Sequence, residues 1–192
     1  MTTELKRFIL NYVALDDAEL ESIAGKFISK TVKKKEYLLR EGQVCKDLIF
    51  VQEGCLRLYY ISEDVETSVW FSFEHSSAIE IASFISGQPS KYFIQAIEDS
   101  EILFLPKVEL NRMYQAHPKM HELMKNFLED VVLNLITRFT SLQRDTAETR
   151  YKELLSKPDY MQKIPQKLLA SFIGVTPTSL SRIRRKIRRA IS

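Results

Sequence analysis

A chain of 192 residues with 45% hydrophobic side chains is long enough for two small domains, and its 28 Lys/Arg against 25 Asp/Glu leave a net charge of +3. No apolar run approaches the length of about 18 residues that a membrane-spanning helix needs, and no basic stretch followed by an apolar run opens the chain, so a soluble, cytoplasmic protein is expected. Two cysteines, Cys45 and Cys55, are too few for a closed zinc site or an iron–sulfur cluster and read as reduced thiols, with no metal or cofactor expected.

In chain order, Met1 to Ser29 reads as helical, with Asp16 and Glu19 spaced as a capping box ahead of Leu20, Ile23, Phe27 and Ile28. From about Thr31 the pattern changes to short segments rich in β-branched and aromatic residues: EYLLREGQ, DLIFVQEG, CLRLYYIS and TSVWFSFE. Turns fall at Glu41-Gly42, Glu53-Gly54 and Ser62–Glu66. A mixed segment near Ser77–Ser86 precedes two more strands, YFIQAIED and EILFLP. Many short strands at this spacing predict a small antiparallel barrel or sandwich.

Pro106 ends the β region, and Lys107–Ala116 suits a short helix. His117-Pro118 then opens a long helix to about Arg144, whose apolar positions Met124, Phe127, Leu128, Val131, Val132, Leu135, Phe139 and Leu142 step by three and four. Such a stripe predicts packing on the β domain on one side and on a partner helix on the other, with Met124, Phe127, Leu128, Val131 and Leu135 as the expected dimer contacts. Asp145-Thr146-Ala147 restarts a helix, which Pro158 is expected to stop. The expected organisation is therefore residues 1–116, a long helix at 117–144, and a terminal domain at 145–192.

The last stretch, IPQKLLASFIGVTPTSLSRIRRKIRRA, reads as a helix-turn-helix. Leu168, Leu169, Phe172 and Ile173 make one apolar face, Gly174 turns the chain, and Thr176 with Pro177 caps and starts the second helix. Leu180, Ile183 and Ile187 form its buried side, while Thr178, Ser179, Ser181, Arg182 and Arg185 point away from it. Short hydroxyls with arginines are what a major groove reader presents. From Tyr160 onward there are eight Lys/Arg and no Asp or Glu, so residues 1–159 hold the other 20 basic and all 25 acidic side chains, a net of −5. A polyanion would bind at one end only.

Helix, β-roll, long helix and terminal helix-turn-helix together resemble the Crp/Fnr superfamily of transcription regulators, on the glycine turns of LLREGQVCKDLIFVQEGCLRLYY and the block LLASFIGVTPTSLSRIRRK. The resemblance implies an α+β fold: an antiparallel β-roll of double-stranded β-helix or jelly-roll type with flanking helices, a long dimerisation helix, and a helix-turn-helix whose following wing is reduced or missing. It further implies a homodimer on a near-palindromic double-stranded site, in contact with RNA polymerase. Cyclic-AMP-binding members hold ribose with a Gly-Glu pair and phosphate with an Arg-Ser pair, where this chain has Ile79-Glu80 and Ser90-Lys91-Tyr92. Glu80, Lys91 and Tyr92 are thus the candidate effector-pocket residues, in a degenerate pocket not expected to take cyclic AMP, since a lysine cannot make a bidentate guanidinium contact. The family's first base-reading arginine and glutamate become Pro177 and Thr178, and Arg182 matches the later arginine. The resemblance makes Arg182 the base reader, with Thr178 and Ser181 on bases or phosphates, and Thr176, Ser179, Lys167 and Arg185 on the backbone.

Two alternatives stand beside this reading. A signalling adaptor would use the β-roll as a small-ligand sensor without reading DNA. A cupin-type metalloenzyme would need several histidines on neighbouring strands, and only His75 lies in the β region; His117 and His121 lack a third ligand. No phosphate-loop or catalytic triad motif supports an enzyme.

Overall fold

The structure, a computed structural model, describes residues 2–191. The described chain forms two compact units, residues 2–58 with 71–132, and residues 59–70 with 133–191.

The first unit begins with α1 (Thr3–Leu10), capped by Thr2, and α2 (Asp17–Ala24). The expected capping box is present: Glu19 N–H donates to Asp16 Oδ1 at 2.8 Å, and Asp16 N–H to Glu19 Oε2 at 3.0 Å. The continuous helical reading to Ser29 is corrected in two places. The chain leaves the helix between Asn11 and Asp16, and Ile28 already belongs to a strand.

Among the described residues eight strands follow: β1 (Ile28–Val32), β2 (Tyr37–Leu39), β3 (Asp47–Glu53), β4 (Leu56–Ser62), β5 (Val65–Ser72), β6 (Ser77–Ala78), β7 (Phe93–Ala96) and β8 (Ser100–Pro106). A short helix, α3 (Ile81–Ser86), lies between β6 and β7. The strands form two four-stranded sheets, ordered β1-β8-β3-β6 and β2-β7-β4-β5. β8 sits between β1 and β3, with Ile28 opposite Phe104 and Ile49 also opposite Phe104 on the other edge. β1 escaped the sequence pattern because only Val32 of its five residues is buried. Its place depends on pairing with a strand about seventy residues away, which no local periodicity reports.

Turn chemistry explains the β-roll's corners. Glu63 and Asp64, the two residues between β4 and β5, both have positive φ, as a tight two-residue hairpin with right-twisted strands requires. Gly54 ends β3 with φ +97°, and a Cβ there would lie 2.3 Å from Ser100 Oγ and 2.8 Å from the Asp99 carbonyl oxygen. Only glycine fits this corner.

The core closes through the first half of a long helix. α4 (Lys107–Ala116) is followed by α5 (Lys119–Arg144), which buries Met120, Leu123, Met124 and Phe127 in the first unit. Phe8 packs between Phe50 at 5.2 Å and Tyr12 at 5.2 Å, and Tyr12 meets Phe127 at 5.5 Å. Tyr12's hydroxyl donates to Asp130 at 3.3 Å, and its pKa is pushed up to about 12, first by burial and then by that carboxylate.

Here the dimer expectation needs correction. Met124 and Phe127 are 2% and 1% exposed in the single chain, while Leu128 and Val131 pack partly against the same core. The exposed apolar positions of α5 lie further on, at Val132, Leu133, Leu135, Ile136, Phe139 and Leu142. Of the five expected contacts, Leu135 alone lies in this exposed group.

The second unit holds the far end of the β4–β5 hairpin, the second half of α5, and four helices: α6 (Ala147–Leu155), α7 (Pro158–Lys163), α8 (Gln166–Phe172) and α9 (Pro177–Ile191). α6 ends at Leu155, ahead of Pro158 as expected, and Pro158 then starts α7 at its first position, where the missing N–H is not needed. Tyr151, Leu154, Ile164, Leu169, Phe172, Ile173 and Leu180 are buried in this unit. Ser171 on α8 ties in the hairpin end: its hydroxyl accepts from Ser68 N–H at 2.8 Å and donates to the Glu66 carbonyl at 3.1 Å.

Phe127→Ala should lower the stability of the first unit by about 3–5 kcal/mol, the cost of an emptied aromatic core position, as read by urea unfolding.

Candidate nucleic-acid interface

The helix-turn-helix is assembled from local chemistry. α8 ends in a Schellman motif: Val175 N–H reaches the Ala170 carbonyl at 3.0 Å and Gly174 N–H the Ser171 carbonyl at 3.1 Å, with Gly174 at φ +75°. A Cβ on Gly174 would meet nothing closer than 3.6 Å, so the left-handed backbone, rather than space, calls for glycine. Thr176 then caps α9, its hydroxyl oxygen accepting from Ser179 N–H at 3.2 Å.

Two carbonyls at the end of α8 remain after the Schellman bonds, and two arginines take them. Arg138 on α5 donates to the Phe172 carbonyl and lies over the Phe172 ring, its guanidinium carbon 3.7 Å from the centroid. Burial draws its pKa down to about 10, which leaves it charged at neutral pH. Arg150 on α6 donates to the Ile173 carbonyl at 3.0 Å, and its Nη1 reaches the carbonyls of Ser141 at 3.3 Å, Leu142 at 3.4 Å and Asp145. One guanidinium therefore caps the ends of both α5 and α8. Sequence reasoning missed both residues, because their partners are backbone atoms of other helices.

α9 buries Leu180 and Ile187, with Ile183 half-buried. Its other faces carry the expected reading residues: Thr178, Ser181, Arg182 and Arg185 are exposed, as is Lys167 on α8, and Ser179 is half-buried. Three hydroxyls are already engaged within the helix. Thr176 donates to Ser179 Oγ at 3.0 Å in addition to its capping role, and Ser181 donates to the Pro177 carbonyl at 3.0 Å. Ser181 therefore offers acceptor lone pairs outward, while the arginines supply donors. Lys186 is exposed, and its ammonium pairs at 2.6 Å with Glu148, which also holds Lys152 at 3.0 Å. These hydrogen bonds keep the Glu148 carboxyl below its usual range.

Glu80 is 4% exposed and caps α3, its two oxygens accepting from Ala82 N–H and Ser83 N–H, each at 3.1 Å. Lys91 is exposed, and Tyr92 N–H bonds Ser90 Oγ at 2.9 Å. A cavity of about 410 Å³ in the first unit is lined instead by Leu38, Leu39, Gln43, Val44, Cys45, Lys46, Asp47, Ile49 and Ile94. Burial raises the Asp47 carboxyl, and the Cys45 thiol likewise. Among the described residues no group of three His, Cys, Asp or Glu gathers as metal ligands would, and no helix is long and apolar enough to cross a membrane. His117 contacts Ser22 Oγ at 3.2 Å, and His121 stacks on Tyr114 at 4.4 Å.

Arg150→Ala should cost about 2–3 kcal/mol in urea unfolding of the second unit, since it strips charged donors from two helix ends at once. Arg150→Lys should recover part of this at most, because an ammonium cannot span carbonyls on two helices with one planar fork.

Residues 29–117 match the cyclic nucleotide-binding domain. Along the chain, electron transport regulator A of Shewanella oneidensis is 20% identical, the match covering 92% of this chain and 73% of that protein. FixK2 of Bradyrhizobium japonicum superposes with a TM-score of 0.73 at 16% identity, over 85% of each chain. A protein from Eubacterium rectale assigned to the Crp/Fnr family of transcriptional regulators superposes with a TM-score of 0.71 at 16% identity, over 94% of this chain and 88% of that one. Residues 29–117 are thus similar to cyclic nucleotide-binding domains, and over most of its length the chain shares the fold of solved Crp/Fnr-type structures.

Proposed function

We propose that the protein is a sequence-specific DNA-binding transcription regulator of the Crp/Fnr type, acting as a homodimer and without catalytic activity. The observation that carries this reading is the α8–Gly174–α9 unit, whose second helix docks through Leu180 and Ile187 and leaves Thr178, Ser181, Arg182 and Arg185 exposed. The net charge of −5 on residues 1–159 directs a polyanion to this end of the chain. Arg182 is the base reader, and Lys167 and Arg185 hold phosphates. Action on RNA polymerase belongs to the same reading.

Dimerisation rests on the second half of α5. Val132, Ile136, Phe139 and Leu142 form an exposed apolar stripe at helical spacing, with Phe139 63% exposed. A second copy of the same helix would cover it in a two-fold pairing, and two recognition helices would then meet a near-palindromic site. The effector, if one acts, is not cyclic AMP in this reading: no guanidinium stands at Ser90 or Lys91, and Glu80 is committed to capping α3.

The decisive experiment selects bound duplexes from a random pool and sequences them, with and without cyclic AMP. Enrichment of a two-fold-symmetric motif without nucleotide supports the whole reading. Enrichment only with cyclic AMP overturns the pocket assignment, and binding of no duplex leaves a ligand-sensing adaptor in its place. On the selected site, Arg182→Ala should cost about 1–3 kcal/mol and relax one base pair in each half-site, while Lys167→Ala should weaken all duplexes evenly and lower the salt slope by about 1. Phe139→Glu should convert a dimer to a monomer in sedimentation velocity and abolish preference for paired half-sites.

A further inference from the structure

The C-terminal half of α9 is more than a basic helix end. Gln166 at the start of α8 comes within 3.5 Å of Ser181, amide nitrogen to hydroxyl. Between these two helices lies a notch of about 330 Å³, lined by Gln166, Ser181, Arg184, Arg185, Arg188 and Arg189. Ser181, Arg184/Arg185 and Arg188 follow the three-to-four-residue step of one helical stripe, next to the buried stripe of Leu180 and Ile187.

The lining is chemically one-sided. Among the described residues that line it, four guanidiniums and a carboxamide supply donors, and none carries a carboxylate side chain. An arginine at the last turn of a helix has an ordinary explanation in the macrodipole. Arg184 does not: it stands mid-helix and is half-buried, held toward the notch rather than spread into solvent. Planar guanidinium forks match the oxygens of a phosphate in a bidentate way that lysine does not. Of the two basic α9 residues outside this lining, Arg182 and Lys186, Lys186 pairs with Glu148.

We propose that this notch is a phosphate seat, distinct from the base-reading residues Thr178 and Arg182, which grips the DNA backbone beside the groove that α9 enters. It rests on the DNA-binding reading above and extends the contact surface one to two helical turns beyond the reading segment. Arg184 and Arg188 are its principal ligands, with Gln166 as a neutral donor on the opposite wall.

Fluorescence anisotropy of labelled duplexes across about 50–200 mM salt tests it, comparing the unmodified protein with Arg184→Ala/Arg188→Ala. The charge-matched control is Lys152→Ala/Lys186→Ala, on the Glu148 side of the fold. Circular dichroism melting verifies that each variant folds, and Arg184→Gln/Arg188→Gln replaces the alanine pair should that one melt early. The notch variant should lose about tenfold or more in affinity, equally on selected and random duplexes, with the log–log salt slope falling by about 1–2. The control should show at most half that slope change.

An equal change in the control would reduce the notch to diffuse charge and overturn the proposal. So would a loss confined to the selected sequence, which would mark these arginines as base readers. If the slope is unchanged while inorganic tripolyphosphate raises the melting temperature of the unmodified protein and not of the variant, the seat serves a free small anion and the backbone-gripping role is overturned. Absence of duplex binding by the unmodified protein would refute the DNA reading itself, a result separate from all of these.

Discussion

The candidate DNA-reading unit depends on satisfying the carbonyls at the end of α8. A seven-residue helix followed at once by another cannot bury its last carbonyls without donors, and each orphan would cost on the order of 1–3 kcal/mol. Gly174 permits a left-handed turn that brings two backbone N–H groups back onto Ala170 and Ser171. Arg138 and Arg150 supply the rest, from α5 and α6. The turn between the reading helices is thus fixed by side chains outside the motif. Arg150 also closes the end of α5, so the long helix and the helix-turn-helix share one cap.

α5 illustrates how a single periodic helix serves two environments. Its first turns fill the core beneath Phe8 and Phe50, and Asn126 donates to the Tyr12 carbonyl at 2.6 Å. Its later turns leave Ile136 and Phe139 55% and 63% exposed. The apolar stripe continues without a break, while the surface that covers it does not. Large apolar side chains left exposed in register on one helix are the usual mark of an interface, and this is the ground for the dimerisation proposed above.

The β-roll is defined by its strands, while the chemistry of its cavity is set by the side chains that line it. The cavity at Leu39, Asp47 and Ile94 is lined mainly by apolar residues and by a carboxyl raised through desolvation. Glu80, which aligns with a ribose-holding residue by resemblance, spends both oxygens on the first turn of α3. A fold of this kind hosts many ligand chemistries, and function follows the groups that face the site.

Much of the architecture was legible in the chain because its signals are local. The Asp16–Glu19 capping box, the helix over 107–116, and the Thr176 cap with Pro177 at the start of α9 all depend on neighbours within four residues. The β-branched and aromatic content of DLIFVQEG and EILFLP likewise named β3 and β8. Tertiary structure alone decided the rest. Ile28 became strand only by pairing with Phe104, Met124 and Phe127 became core because the rest of the first unit packs around them, and Gln166 joined Arg184 and Arg188 only when α8 crossed α9. Periodicity states which residues share a face; which surface covers that face is set by contacts between segments far apart in the chain.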